Sequence, residues 1–85
     1  MTFSLKPDVT ETATEHGTVL FDQRRGRYFQ LNPTGALVLH TLMSGASRER
    51  AAEVLRESYG IDADRAQADV AVLLETLRKK KLATE

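Results

Sequence analysis

The chain has 85 residues, and its twelve Lys and Arg residues are balanced by twelve Asp and Glu residues. It contains two His and no Cys. This length allows one domain with one modest core. The zero formal net charge disfavours a generic nucleic-acid binder, and the lack of cysteine excludes disulfides, thiolate metal sites and a cysteine nucleophile. No apolar run approaches the roughly 20 residues of a membrane span, and the first residues lack a signal-peptide pattern, so we expect a cytoplasmic protein.

The first 31 residues predict three β-strands, because Thr, Val and Phe are frequent there and Ala is scarce. The strand-forming stretches are residues 8–14, 17–23 and 27–31, with the polar turn DQRRG between the last two. Gly26 in that turn can adopt the positive φ that a short hairpin commonly requires. The second and third stretches are therefore predicted to pair as an antiparallel hairpin.

The rest of the chain, rich in Ala, Leu, Glu and Arg, predicts three helices. The first has Asn32 as its N-cap and Pro33 as its first helical residue, and it ends at Gly45. Its apolar side chains form an almost continuous surface that comprises Ala36, Leu37, Val38, Leu39, Leu42 and Met43. This helix is predicted to be central and largely buried.

The second and third helices are amphipathic. Ser47 caps the second, whose narrower apolar stripe extends to Tyr59 before Gly60. Asp62 or Asp64 caps the third, and its core-facing residues are Ala66, Val70, Leu73, Leu74 and Leu77. The basic residues 78–81 follow in its last turn, where positive charge complements the helix dipole. We expect one α+β domain over residues 1–85, in the order βββααα.

The sequence contains no catalytic constellation. His16 and His40 stand outside any metal-ligand pattern, and we expect His40 to be a partly exposed helical residue. No serine lies in a nucleophile elbow, and no glycine-rich phosphate loop is present. We therefore expect no enzyme activity, no catalytic residue, no metal and no cofactor.

The third predicted strand is the first candidate site. A three-stranded meander leaves this strand at an edge, and an exposed edge is a row of unpaired N–H and C=O groups. Arg27 and Gln30 on it have two interpretations: protection of an ordinary edge against aggregation, or a surface to which an extended peptide adds as another strand.

The third helix offers a second wall for such a peptide. Beside its core stripe, a helical wheel gives a mixed face made of Arg65, Ala68, Asp69, Val72, Thr76 and Lys79. Small residues would leave room for an aromatic or proline ring, and Val72 would give it an apolar floor. The alternative interpretation is an ordinary solvated face.

Several features of the sequence occur together in one known family: Gly17, Asp22, the segment YFQLNPTG, the Tyr-Gly that closes the second helix, and DVAVLLETL. On these residues the chain, from about Leu5 onward, resembles the PqqD-like family of peptide-recognition elements. Its small size and the stretch GRYFQLNPTGALVL are most similar to the leader-binding proteins of lasso-peptide biosynthesis. Where other members often have Trp after the LN segment and Gly near the end of the third helix, this chain has His40 and Lys81.

This resemblance implies a winged-helix-like fold in which a precursor's leader segment pairs with the third strand and lies against the third helix. The implied contact residues are Arg27, Tyr28, Phe29, Gln30, Leu31, Arg65, Ala68, Asp69, Val72, Thr76 and Lys79. It also implies a Tyr-x-x-Pro signature in the leader, held between Phe29, Tyr28 and Val72. The implied partners are a separate cysteine leader peptidase and a cyclase, with no nucleic acid and no membrane.

The competing interpretation is a winged-helix DNA-binding protein. Three consecutive helices and the cluster of Arg24, Arg25 and Arg27 at a hairpin tip support it. The zero net charge opposes it, as do the acidic residues of the third helix, such as Asp69.

Overall fold

The computed structural model describes residues 3–84 and has an α+β fold. Its elements in chain order are β1 (Ser4–Leu5), β2 (Val9–Thr14), β3 (Gly17–Asp22), β4 (Arg27–Leu31), α1 (Pro33–Met43), α2 (Arg48–Tyr59), α3 (Ala63–Lys79) and β5 (Ala83–Thr84). The three predicted strands are β2, β3 and β4, each within one residue of its predicted bounds. The three predicted helices are also confirmed, whereas β1 and β5 were not predicted.

The three longer strands form an antiparallel sheet in the order β2-β3-β4. Within the described residues β4 has β3 as its only strand neighbour, so the predicted edge is confirmed. The turn between them is held by the buried Asp22, whose Oδ1 accepts hydrogen bonds from the Arg24 and Arg25 N–H groups, both at 3.1 Å. Burial raises the pKa of Asp22, but these bonds and the Arg25 guanidinium outweigh it and hold the pKa below its usual value.

Each helix begins at a side chain that accepts a backbone hydrogen bond from its first turn. Asn32 Oδ1 accepts from the Gly35 N–H at 2.8 Å, and Ser47 Oγ caps α2 in the same way at 3.0 Å. For α3 the cap is Asp62 rather than Asp64, with 2.7 Å between its Oδ1 and the backbone N of the third residue beyond it. These caps satisfy N–H groups that no helical carbonyl can reach.

The core lies where α1 packs between the sheet and α2, with α3 closing it from the side of α2. Leu20, Leu39, Leu55 and Leu77 are fully buried there, and Leu42 is 2% exposed. The expectation of an almost fully covered α1 was too broad: Leu37 is half-buried and Met43 is 40% exposed. Met43 is the last residue of α1, and Leu37 packs only against the margin of the core. Tyr59, at the end of α2, is likewise exposed.

The two ends of the described chain meet in the short pair that the sequence did not reveal. Ser4 lies opposite Thr84 and Leu5 opposite Ala83, and the Lys6 N–H donates to the Leu82 carbonyl at 2.9 Å. Because β5 follows α3 after three residues, this pair connects the C-terminal end of that helix to the start of the described chain. No helix within residues 3–84 combines the length and the apolar character needed to cross a membrane.

Candidate functional site: the groove between β4 and α3

The hydrogen-bonding pattern of the sheet decides which backbone N–H and C=O groups of β4 are free. In an antiparallel sheet, successive residues of a strand direct their backbone N–H and C=O groups to opposite sides, so every second residue bonds to the same neighbouring strand. The Gln23 N–H donates to the Asp8 carbonyl on the β2 side, whereas the Asp22 carbonyl accepts from the Gly26 N–H on the β4 side. Asp22 and every second residue of β3 counted back from it therefore direct their backbone N–H and C=O groups towards β4.

The same alternation decides which backbone groups of β4 face β3 and which face the open edge. Arg27 lies opposite the last residue of β3, so Arg27, Phe29 and Leu31 direct their backbone N–H and C=O groups at β3. The N–H and C=O groups of Tyr28 and Gln30 point the other way, into the open edge. Two donors and two acceptors are thus available there for an added strand.

The side chains of β4 alternate between the two faces of the sheet. Leu31 is buried on the core side and Phe29 packs there half-buried, whereas Tyr28 is 73% exposed. The Tyr28 ring lies on the opposite face against Phe21, with 4.6 Å between ring centroids. In the predicted pocket of Phe29, Tyr28 and Val72, the structure brings Phe29 and Val72 together at one cleft and places the Tyr28 ring on the other face.

A cleft of about 360 Å³ runs between the β4 edge and α3. Of the residues predicted for the site, it is lined by Phe29, Gln30, Leu31, Arg65, Asp69, Val72 and Thr76. The sequence did not predict its other lining residues, which are Asn32, Thr34, Gly35, Val38, Leu55 and Leu73. Ala68 and Lys79, which the helical wheel placed on this face, do not line it. The missed residues come mainly from the start of α1 and from the core, and no local pattern indicates that they meet α3.

The cleft has an apolar floor and a polar rim. Val72 is 65% exposed, and half-buried Phe29 and Leu73 line the cleft with it. At the rim, Arg65 Nε lies 3.9 Å from Asp69 Oδ2, which leaves this end of the cleft without net charge. An exposed apolar side chain inside a cleft with polar edges is typical of a ligand-binding surface.

A second, smaller cavity of about 60 Å³ adjoins the cleft, since Phe29 lines both. It lies at the start of β4, and its other lining residues are Asp22, Arg27, Tyr28, Lys80 and Leu82. The Lys80 ammonium lies 5.5 Å from the Phe29 ring centroid, within cation–π range. Lys80 therefore occupies the place at the groove that the sequence assigned to Lys79, whose ammonium is 3.8 Å from Glu75 instead.

Neither histidine belongs to a reactive cluster. The exposed His40 Nε2–H donates to Glu11 Oε2 at 2.8 Å and joins α1 to β2. The His16 backbone N–H donates to Thr14 Oγ1 at 3.2 Å in the first turn of the sheet. In the part of the chain that the structure describes, no group of three metal-ligating side chains comes together.

Fold and groove together define a small α+β module whose exposed strand edge faces a helix across an open cleft. The chain belongs to the PqqD family, since the family model described as coenzyme PQQ synthesis protein D matches residues 17–83.

Two solved structures show the same fold. One is described as lasso peptide synthetase B1 complexed with the leader peptide; it is 34% identical, with a TM-score of 0.93 and 100% of both chains covered. The other, TbiB1 in complex with the TbiA(beta) leader peptide, is 23% identical with a TM-score of 0.85, and the match covers 98% of this chain and 94% of that one. Among curated proteins, none matches this chain significantly.

Proposed function

We propose that this protein binds the leader segment of a ribosomally made precursor peptide in lasso-peptide biosynthesis, and that it delivers the precursor to a separate leader peptidase. The observation that carries the proposal is the open edge of β4 facing the apolar cleft along α3. The 34% identical relative was solved with a leader peptide, which supports the same ligand class here.

In the proposed complex the leader adds to the sheet as a further strand. The outward N–H and C=O groups of Tyr28 and Gln30 bond to its backbone, which gives affinity with little dependence on sequence. Alternate side chains of an added strand point to one face. On the cleft side they meet Phe29, Val72 and Leu73, so this side selects an apolar, aromatic or proline ring, as a Tyr-x-x-Pro signature would provide.

The protein supplies recognition without chemistry in this proposal. The peptide is cut by a separate cysteine leader peptidase, and a cyclase then closes the ring. All these steps take place in the cytoplasm, and the chain itself requires no cofactor. A DNA-binding role has weaker support, because the net charge is zero and α3, with Asp62 as its N-cap, carries Asp64, Asp69 and Glu75 among its basic residues.

Val72 provides the sharpest test of the groove. Leader peptides synthesised from short reading frames beside the gene would be labelled with fluorescein and titrated by fluorescence polarisation. Val72→Asp places a charge on the apolar floor, and we expect it to weaken binding by at least about tenfold. Gln67→Asp, an exposed change on α3 outside the cleft, is the matched control and should bind like the wild type. Equal affinity of the two variants would contradict the proposed site.

A further inference from the structure

The positive charges of the chain are concentrated in two segments. Residues 24–27 and 78–81 hold seven of the twelve Lys and Arg residues. The segments are far apart in sequence, yet Arg27 and Lys80 line the same small cavity at the start of β4. A chain with zero net charge therefore has a strongly basic region at one end of its groove.

Part of this charge is neutralised within the molecule. Arg25 pairs with Asp22 at 3.4 Å, and Glu75 pairs with both Arg78 and Lys79. The remaining cations are Arg24, Arg27, Lys80 and Lys81, and within residues 3–84 none of them has a carboxylate at ion-pair distance. The groove thus has one positive end and, at Arg65 and Asp69, one neutral end.

Lys80 is held at the groove by its neighbour on β4. Its ammonium lies over the Phe29 ring, and that ring also lines the main cleft. Arg27 flanks the same cavity from the first position of the edge strand. Two cations therefore line one cavity at the start of the exposed edge strand.

We propose that Arg27 and Lys80 bind an acidic segment of the leader peptide, directly beside the stretch that adds to β4. This inference rests on the proposed function and names a feature of its ligand. The acidic segment contacts both cations where it leaves the cleft, because within residues 3–84 neither of them has a carboxylate at ion-pair distance.

This contact gives the added strand its direction. Backbone hydrogen bonds form regular ladders in both parallel and antiparallel pairs, so an edge by itself discriminates weakly between them. The groove has its positive end at Arg27 and Lys80 and its neutral end at Arg65. Asp or Glu on one flank of the peptide therefore favours the orientation that brings that flank to the positive end.

The same cations could attract a nucleic-acid phosphate, but the surroundings favour a peptide. The cavity between them is only about 60 Å³ and lies at the end of an exposed strand edge. The carboxylates of Asp22 and Glu75 are interspersed with the basic residues, which weakens a continuous phosphate-binding surface.

The test is a selection from random peptides, which requires no precursor sequence. Displayed peptides of about 16 residues are selected on the immobilised full chain. This length extends beyond the five-residue strand β4 and leaves a flank on each side of the added strand. Parallel selections use the double variant R27Q/K80Q and the control R50Q/R56Q, which removes two exposed cations of α2. We expect Asp and Glu to be enriched on one flank with the wild type and the control, and not with R27Q/K80Q.

Synthetic peptides then measure the contact. Replacing the enriched Asp and Glu by Asn and Gln should weaken binding to the wild type by about three- to tenfold at low salt, and less at about 0.5 M NaCl. The same replacement should have no effect on R27Q/K80Q, with circular dichroism confirming that this variant is folded. Enriched peptides that lack an acidic flank, or equal effects on both proteins, would overturn the inference.

Two other outcomes are distinguishable from these. If R27Q/K80Q lost retardation of random duplex DNA but kept wild-type affinity for the selected peptides, the basic end would be a nucleic-acid contact and the inference would be overturned. If no selected peptide depended on Val72, the proposed leader site itself would fail.

Discussion

Gly17 and Leu31 approach each other so closely that a side-chain carbon on Gly17 would lie 2.0 Å from the Leu31 carbonyl oxygen. The backbone φ angle of Gly17 is +133°, a value that residues other than glycine rarely adopt. Leu31 is the last residue of the edge strand, and the next residue, Asn32, caps α1. The contact therefore fixes the junction at which β4 passes into the helix beside the groove.

We expect Gly17→Ala to lower the free energy of unfolding by at least about 2 kcal/mol, since strain and a backbone clash add together. Urea denaturation followed by circular dichroism measures this. Gly26→Ala is the control, because φ is +65° there but no atom lies within 4 Å of the added carbon. It should cost only about 1–2 kcal/mol. Equal losses at both positions would show that the close approach to Leu31 has no energetic role.

Lys81 occupies a backbone position that favours glycine. Its φ is +58°, its N–H donates to the Arg78 carbonyl, and the Leu82 N–H donates to the Leu77 carbonyl. These two bonds form a Schellman motif, in which glycine is the preferred residue. Lys81→Gly should therefore stabilise the protein by about 0.5–1 kcal/mol, raising the urea midpoint. Lys79→Gly, within the last turn of α3, should destabilise it by up to about 1 kcal/mol. A lowered midpoint for Lys81→Gly would contradict this account.

Leu42 and Met43 are neighbours in sequence with opposite environments. Leu42 is 2% exposed in the core, whereas Met43 is 40% exposed. Leu42→Ala should cost about 2–5 kcal/mol through the cavity it leaves. Met43→Ala should cost less than about 1 kcal/mol. Thermal unfolding of both variants checks this, and a Leu42→Ala midpoint close to that of the wild type would refute the core assignment.

Asp22 makes the stability of the hairpin depend on pH. Because its pKa is lowered in the folded state, the ionised carboxylate stabilises the fold above the ordinary aspartate pKa of about 3.9. That contribution disappears as the pH falls through the lowered value. Asp22→Asn should therefore be less stable than the wild type at neutral pH, and the difference should shrink below about pH 4. Urea midpoints from about pH 7 to pH 2 measure this, and a difference that stays constant would contradict the role of the charge.

The edge of β4 can be tested through its backbone. Tyr28 and Gln30 both point their N–H groups outward, so Tyr28→Pro and Gln30→Pro each remove one donor from the edge and leave the bonds to β3 intact. We expect each to weaken leader binding by about 0.5–1.5 kcal/mol from the lost bond, with steric misfit adding to it. Fluorescence polarisation with the labelled leader peptides measures the loss.

Tyr28→Ala and Gln30→Ala are the matched controls, because they remove the side chains and keep both donors. Phe29→Pro removes a bond to β3 instead and should damage the fold, as circular dichroism would show. If both outward-facing proline variants were folded and bound at wild-type affinity, strand addition to β4 would be excluded, leaving the α3 face or another surface as the site.

Much of this fold is determined by short-range sequence features. Apolar spacing places Val70 and Leu77 on one face of α3, and Asn32 and Ser47 mark helix starts because their side chains satisfy nearby N–H groups. The edge position of β4 also follows from a simple three-stranded meander. The caps and the spacing depend on residues within a few positions of one another, and the meander joins strands that follow directly in the chain, so the sequence alone determines them.

The tertiary structure decided what depends on distant parts of the chain. The pairing of β1 with β5 joins residues 80 positions apart at Ser4 and Thr84, and two-residue strands carry no recognisable period. The packing of the sheet decides that Phe29 faces the cleft and Tyr28 faces away, because alternation alone does not indicate which face is covered. Arg27 and Lys80 lie in separate basic segments of a neutral sequence, and only the packing of α3 beside β4 brings their charges to one end of the groove.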